Sequence, residues 1–320
     1  MLSRRAALAA TAAATLLPLA PTGGQAAQPQ SGQQAPGFYR FKVGDLEVTA
    51  INDGFFHRPI EGLIRNASLD DVRQLLTAAY QPTDRMAIQF TTLVVNTGSR
   101  LVLLDTGNGN SGAPTSGTWM TNFRAAGFDP NNVDTVLISH FHGDHINGLR
   151  LKDGTAVFAK AEVMVPAPEW AFWMSDDRMA TAPDGMKPAF QNVRRVFGPM
   201  AKDVKQFEWG KELVTGISAV DARGHTPGHT AFALSSGNGR LLVMSDTTND
   251  PIVFARRPEW SAVFDMDGEQ AVQTRRRMLD MAATDRMQVS FYHAAFPATG
   301  FITKDGGGYQ MVPMAWQPSL

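Results

Sequence analysis

The chain contains no cysteine. That excludes disulfides, thiolate ligands and a cysteine nucleophile, and it leaves any bound metal to nitrogen and oxygen donors. There is no surplus of charge either: 29 Lys and Arg stand against 30 Asp and Glu, a net charge of −1. Domains built to hold nucleic acid show a basic excess, so no nucleic-acid partner is expected; the charge balance leaves a small-molecule substrate open. A membrane-spanning helix needs about 20 apolar residues, and the N-terminal Ala/Leu run, Ala6–Ala20, falls short of that.

That run follows Arg4-Arg5 and precedes the small residues Gly24-Gln25-Ala26-Ala27. Basic start, apolar middle and small-residue end form the layout of a secretory signal, here of the twin-arginine kind. Residues 1–27 are therefore expected to be a removable leader and 28–36 a flexible lead-in. Residues 37–320 are expected to form the folded domain, periplasmic or secreted and free of the membrane after processing.

From Phe38 onward strand patterns dominate. F-Y-R-F-K-V and L-E-V-T-A-I flank Gly44-Asp45 as a hairpin, and F-T-T-L-V-V-N-T and L-V-L-L form a second. S-L-D-D-V-R-Q-L-L-T-A-A-Y carries an N-cap serine, Ser68, and predicts a helix. T-V-L-I-S, V-T-G-I-S-A-V and Q-V-S-F-Y predict single strands, and A-F-A-L-S-S-G-N-G-R-L-L-V-M-S-D another hairpin. Asp105, His140, Asp246 and His293 each follow an apolar strand directly. Polar residues at the ends of buried strands line one rim of a sheet, where sites in α/β folds collect.

The histidines are few and clustered. Six of the seven fall in three short stretches: S-H-F-H-G-D-H, R-G-H-T-P-G-H-T and F-Y-H. His140 and His142 are two apart, so in extended chain both face one ion. Asp144 and His145 follow a glycine turn that aims them at a second. Imidazoles and carboxylates without sulfur suit zinc, and also manganese, iron or cobalt. The seventh histidine, His57, has no identifiable partner and is left as structural or pocket-lining.

The order H-x-H-x-D-H, then His229, Asp246 and His293, resembles the metallo-β-lactamase-fold hydrolase superfamily. The resemblance runs from about Pro36 to Val312. It implies an αββα sandwich and two divalent ions per chain. One would take His140, His142 and His229; the other would take Asp144, His145 and His293; Asp246 would bridge them. Asp105, in D-T-G, would orient a ligand histidine, and His225 would support the ligand loop. A metal-bridging hydroxide would be the nucleophile, with Asp144 and Asp246 as the carboxylates that hold it.

Asp246 separates the chain from true β-lactamases, and His142 from flavodiiron proteins. Shared segments such as L-V-V-N-T-G-S-R-L-V-L-L-D-T-G and G-H-T-P-G-H-T are similar to the exported branch of methyl parathion hydrolase and related lactonases. That likeness makes Trp173 and Phe141 candidate pocket walls. Gly112 and Asn249 stand where the organophosphate enzyme carries phenylalanine and leucine, and many lactonases carry a tyrosine at the latter place. The substrates implied are a lactone or aryl ester first and a phosphotriester second. Two alternatives are a mononuclear-iron, persulfide dioxygenase-like enzyme and a non-catalytic metal-binding envelope protein. Relatives also form homodimers.

Overall fold

Alternation along two short strands shows where the layers lie. In Leu101–Leu104, Val102 and Leu104 face one hydrophobic cluster and Leu103 faces another. In Gly239–Val243, Leu241 and Val243 face that first cluster and Leu242 faces a third. Successive strand residues point to opposite faces. Both strands are therefore buried on both sides, and the cluster they share lies between two sheets.

The computed structural model describes residues Gln30–Leu320; the leader expected at 1–27 lies outside them. Pro36–Leu320 forms one compact unit. Its first sheet runs, in spatial order, β1 (Phe38–Val43), β2 (Leu46–Pro59), β3 (Arg85–Asn96), β4 (Leu101–Leu104), β5 (Thr135–Leu137), β6 (Glu162–Pro166) and β7 (Lys205–Phe207). β1 to β4 pair antiparallel, and β4 to β7 parallel.

The second sheet contains β8 (Glu212–Val214), β9 (Ile217–Asp221), β10 (Thr230–Ser236), β11 (Gly239–Val243), β12 (Gln288–Ser290), β13 (Thr299–Asp305) and β14 (Gly308–Pro313) in order. Only β11 and β12 pair parallel there. Phe41, Val48 and Val102 meet Phe232 and Leu241 between the sheets. Helices Trp119–Ala125 and Lys187–Phe197 cover the outer face of the first sheet. Helix Gly268–Thr284 covers that of the second through Met278, Leu279 and Ala282. This is the αββα sandwich.

Local sequence explains the connections. Gly44 takes φ 58° in the β1–β2 turn, a conformation glycine adopts without penalty. Ser68 accepts a hydrogen bond from the Asp71 amide and starts helix Leu69–Ala78. V-T-G-I-S-A-V is not one strand. Gly216, at φ 82°, splits it into the β8–β9 hairpin.

Candidate metal centre

The parallel pairs β4/β5 and β11/β12 point their C-terminal ends at one rim. There the chain turns sharply. Asp105 (φ 63°) and Ser245 (φ 44°) hold left-handed backbone just past β4 and β11, a conformation that costs a non-glycine residue about 1–3 kcal/mol and gathers at functional sites. His140, Asp246 and His293 leave β5, β11 and β12 within three residues of the strand ends. His142 caps the single-turn helix Gly143–Ile146, which carries Asp144 and His145.

These side chains converge as two donor groups. In the first, His140, His142, His225 and Asp246 bring one donor atom each to within 4.8 Å of the others; Asp144, His145 and His293 do the same in the second. His142 Nδ1 lies 3.0 Å from His140 Nε2 and 2.9 Å from His225 Nε2. Asp246 spans both groups. Its Oδ2 is 3.3 Å from His225 Nε2 and 3.0 Å from His293 Nε2, and its Oδ1 is 3.2 Å from His145 Nε2.

Among the described residues, His145 Nε2 and Asp246 Oδ1 are buried without a hydrogen-bond partner. Buried polar atoms are normally paired, and two such atoms 3.2 Å apart among imidazoles fit a cation site. Two of the donors already hold the ligating form. Burial pushes the His142 imidazole down to about 3, so it is neutral. Burial opposes the Asp144 carboxylate, but the attraction and hydrogen bond of His145 together with the attraction of His293 outweigh it and hold the group at about 2. Neutral imidazole and ionised carboxylate are the forms that ligate. Burial opposes charge on His145, His225 and His293 as well, but the carboxylates packed around them, Asp246 foremost, outweigh it and push these rings up; a cation there would take the place of their protons.

The assignment of the two histidines in G-H-T-P-G-H-T must be corrected. His225, not His229, turns its Nε2 into the first group. Both nitrogens of His229 are already engaged: Nδ1 donates to the Ala222 carbonyl at 2.8 Å, and Nε2 accepts from the Asp246 amide at 3.1 Å. His229 thus supports the ligand loop, the role expected of His225. The remaining expected donors, His140, His142, Asp144, His145, Asp246 and His293, come together as anticipated.

Behind the donors stands a layer of acceptors. Asp105 Oδ2 takes His145 Nδ1 at 2.8 Å, as expected, and its carboxylate also binds the Ser139 amide and hydroxyl. The Gln89 carbonyl takes His293 Nδ1 at 2.7 Å, and Ser139 Oγ lies 3.0 Å from His140 Nδ1. Such partners fix tautomer and ring orientation.

Two further residues here were not anticipated. Asp265 takes His225 Nδ1 at 2.9 Å and faces Arg275 at 3.3 Å, all buried. Glu169, also fully buried, accepts from the Phe141 amide and the Trp173 indole at one oxygen and from the Gly228 amide at the other. It thereby ties the H-x-H loop to the G-H-T-P-G-H-T loop. A lone acid inside the apolar stretch V-M-V-P-A-P-E-W-A-F-W is the signal that marks it.

The donors floor a cavity of about 480 Å³. Gly112 and Asn249 line it, as expected, but Phe141 and Trp173 do not. Phe141 stacks on Phe197 at 4.4 Å, and Trp173 packs on Phe190 at 4.8 Å, both in the core beneath the outer helices. The apolar wall comes instead from Phe56, Ile88, Phe90 and Phe264. Gly112 does more than open the space. A Cβ there would meet Ser116 Oγ at 2.1 Å, so a larger residue needs the loop to move. His57 is exposed, with its ring edge against Phe55.

Two mixed sheets between helices, with a His/Asp metal site at their common rim, define a metallo-hydrolase-type fold. Residues 87–293 match the model of the metallo-beta-lactamase superfamily, and the chain belongs to that superfamily. It is similar to the hydrolase AbOPH of the beta-lactamase superfamily, at 27% identity over 89% of this chain and 100% of that one, with a TM-score of 0.83. Its fold is also that of AidC, a dizinc quorum-quenching lactonase: 24% identity, 88% and 98% covered, TM-score 0.83. Over 159 residues it is 31% identical to a ribonuclease of Thermus thermophilus, covering 46% of this chain and 32% of the relative. The match thus spans about a third of that curated protein's length.

Proposed function

We propose that the chain is a dinuclear metal-dependent hydrolase of an uncharged ester, with a lactone or aryl ester preferred over a phosphotriester. The observation that carries this reading is the placement of Asp246, whose carboxylate reaches His225 of one donor group and His145 and His293 of the other at the floor of a largely apolar cavity. His140, His142 and His225 would hold one ion with Asp246, and Asp144, His145 and His293 the other, with zinc best suited to the donors. Bound there, a metal pair supplies an acidified water and a Lewis acid for the attacked carbonyl.

The protein's own groups do the rest. Asp105, Asp265 and the Gln89 carbonyl hold three imidazoles with their donor nitrogens inward. Phe56, Ile88, Phe90 and Phe264 bury the apolar part of the substrate and exclude water. Asp144 is the most exposed carboxylate of the cluster. Its Oδ2 is placed to take a proton from the incoming water and return it to the leaving oxygen. The expected export through a twin-arginine leader and a homodimeric state belong to the same proposal.

The test is metal content, followed by initial rates on an N-acyl homoserine lactone, a p-nitrophenyl ester and a dimethyl aryl phosphotriester. About two zinc ions per chain and a dominant carboxyl-ester rate, lost in His142→Ala and Asp246→Ala proteins that remain folded, support the reading. A single bound iron or full activity in either variant overturns it.

A further inference from the structure

A buried cation lies behind the metal centre. Arg275, in the middle of helix Gly268–Thr284, is fully buried, and its guanidinium gathers acceptors from three segments. Nε donates to the Thr247 carbonyl at 2.8 Å, Nη1 to the Pro258 and Trp260 carbonyls, and Nη2 to Asp265 Oδ2 at 3.3 Å. The Phe254 ring lies 5.0 Å from the guanidinium. Thr247 follows Asp246 directly, and Asp265 Oδ1 holds His225 Nδ1 at 2.9 Å. The contacts therefore close a ring. His225 Nε2 meets Asp246 Oδ2 at 3.3 Å, and Thr247, Arg275 and Asp265 lead back to the same imidazole.

We infer that Arg275 is a positioning residue that sets the spacing between His225 and the carboxylate of Asp246. Stability alone does not account for it, because a buried ion pair is often no more stabilising than apolar side chains of the same volume. The geometry needs an arginine in particular. Its planar fork aims Nε and Nη2 at two acceptors at once, while a lysine ammonium is a single point charge. Asp265 orients the ring of His225, and Arg275 ties that ring to the backbone beside Asp246. The inference rests on the hydrolase reading for the reaction the spacing serves, but its test does not require turnover.

The experiment is cobalt(II) binding to the full chain, read by chelator competition and by the visible absorption of the bound ion, beside unfolding in denaturant. Arg275→Lys keeps a charge opposite Asp265 and loses the fork. It is expected to bind cobalt about 10- to 100-fold more weakly, with an altered absorption band. Leu279→Ala, one turn further along the helix, trims a buried side chain of its apolar face. It should lower stability and leave cobalt affinity and spectrum unchanged. The double variant Asp265→Asn/Arg275→Met strands no buried charge and takes the place of Arg275→Lys should that protein not fold. Its loss of affinity is expected to exceed that of Asp265→Asn alone, and a loss no larger overturns the inference.

Wild-type affinity and spectrum in Arg275→Lys also overturn it, as does an equal loss in Leu279→Ala, which would make the effect one of general loosening. Should the wild type bind no cobalt, the hydrolase reading fails, and crystal structures without metal decide on Arg275. The gap between His225 Nε2 and Asp246 Oδ2 is then expected to widen by about 1 Å in Arg275→Lys, a displacement that matters for catalytic placement; an unchanged gap overturns the inference. Hydrolysis of N-hexanoyl homoserine lactone is measured alongside. If cobalt is held by the wild type and weakened in Arg275→Lys but no ester is cleaved, the hydrolase reading fails and the Arg275 assignment stands. If esters are cleaved and Arg275→Lys binds cobalt as the wild type does, the reverse holds.

Discussion

His225 Nδ1 lies 2.9 Å from Asp265 Oδ1, and both side chains are buried. The carboxylate fixes the ring so that Nε2 faces His142 and Asp246, and Arg275 anchors the carboxylate in turn. Replacing Asp265 by asparagine keeps the shape and removes the charge. Losing such a support behind a ligand typically weakens metal affinity about 10- to 100-fold. Chelator competition on Asp265→Asn should show that loss for metal held by the His140, His142 and His225 group; an unchanged affinity would mean His225 is oriented by packing alone.

The two histidines of the G-H-T-P-G-H-T loop should behave differently. His225→Ala removes a donor and is expected to lose roughly one ion per chain by elemental analysis. His229→Ala should keep its metal content and lose stability instead. It leaves the Ala222 carbonyl and the Asp246 amide unpaired, at a cost of about 1–3 kcal/mol per buried group. Denaturant unfolding measures that cost. Loss of metal in His229→Ala with stability intact would reverse the assignment.

Glu169 joins two ligand loops through three N–H donors. Glutamine can accept at only one end and turns an N–H toward donors at the other. Glu169→Gln should therefore lower the unfolding free energy by about 1–3 kcal/mol and reduce kcat, because His142 and His225 would no longer be held at fixed spacing. Wild-type kcat together with a wild-type melting temperature would show that the loops hold themselves.

Burial pushes the Asp250 carboxyl up from 3.8 to about 6, against the hydrogen bond from the Ile252 amide. The folded protein therefore holds this proton more tightly than the unfolded chain. The group's contribution to stability is full below about pH 4 and is lost as pH rises through about 6. In chelated protein, Asp250→Asn, which can still cap the helix, should raise the melting temperature at pH 7.5 relative to wild type and leave it unchanged near pH 4. A pH-independent difference would place the effect in packing rather than in this proton.

Several features could be read from the chain directly. H-x-H-x-D-H at the end of an apolar strand, with Asp105, Asp246 and His293 at the ends of others, is a local pattern. Each strand carries its polar residue to the rim whichever way the sheets later pack. The hairpin at Gly44 and the cap at Ser68 are local for the same reason. The choice between His225 and His229 was not, because four residues of a Pro/Gly loop can present either ring inward. What settles it is the Ala222 carbonyl and the Asp246 amide, which occupy His229 from outside that loop.

Trp173 and Phe141 were legible as large apolar residues beside the ligands, but not as core. Which way a side chain faces depends on what packs over it, and Phe190 and Phe197 from a later helix bury both. The sequence by itself determined six of the seven donors and the strands or turns that carry them, since adjacency in the chain fixes these. Only the tertiary structure decided the supports and the cavity wall. Asp265 meets His225 from 40 residues away, and Phe56 on β2 and Phe264 just before helix Gly268–Thr284 line the same cavity. Contacts between distant segments are set by how the two sheets stack, and no local spacing records that.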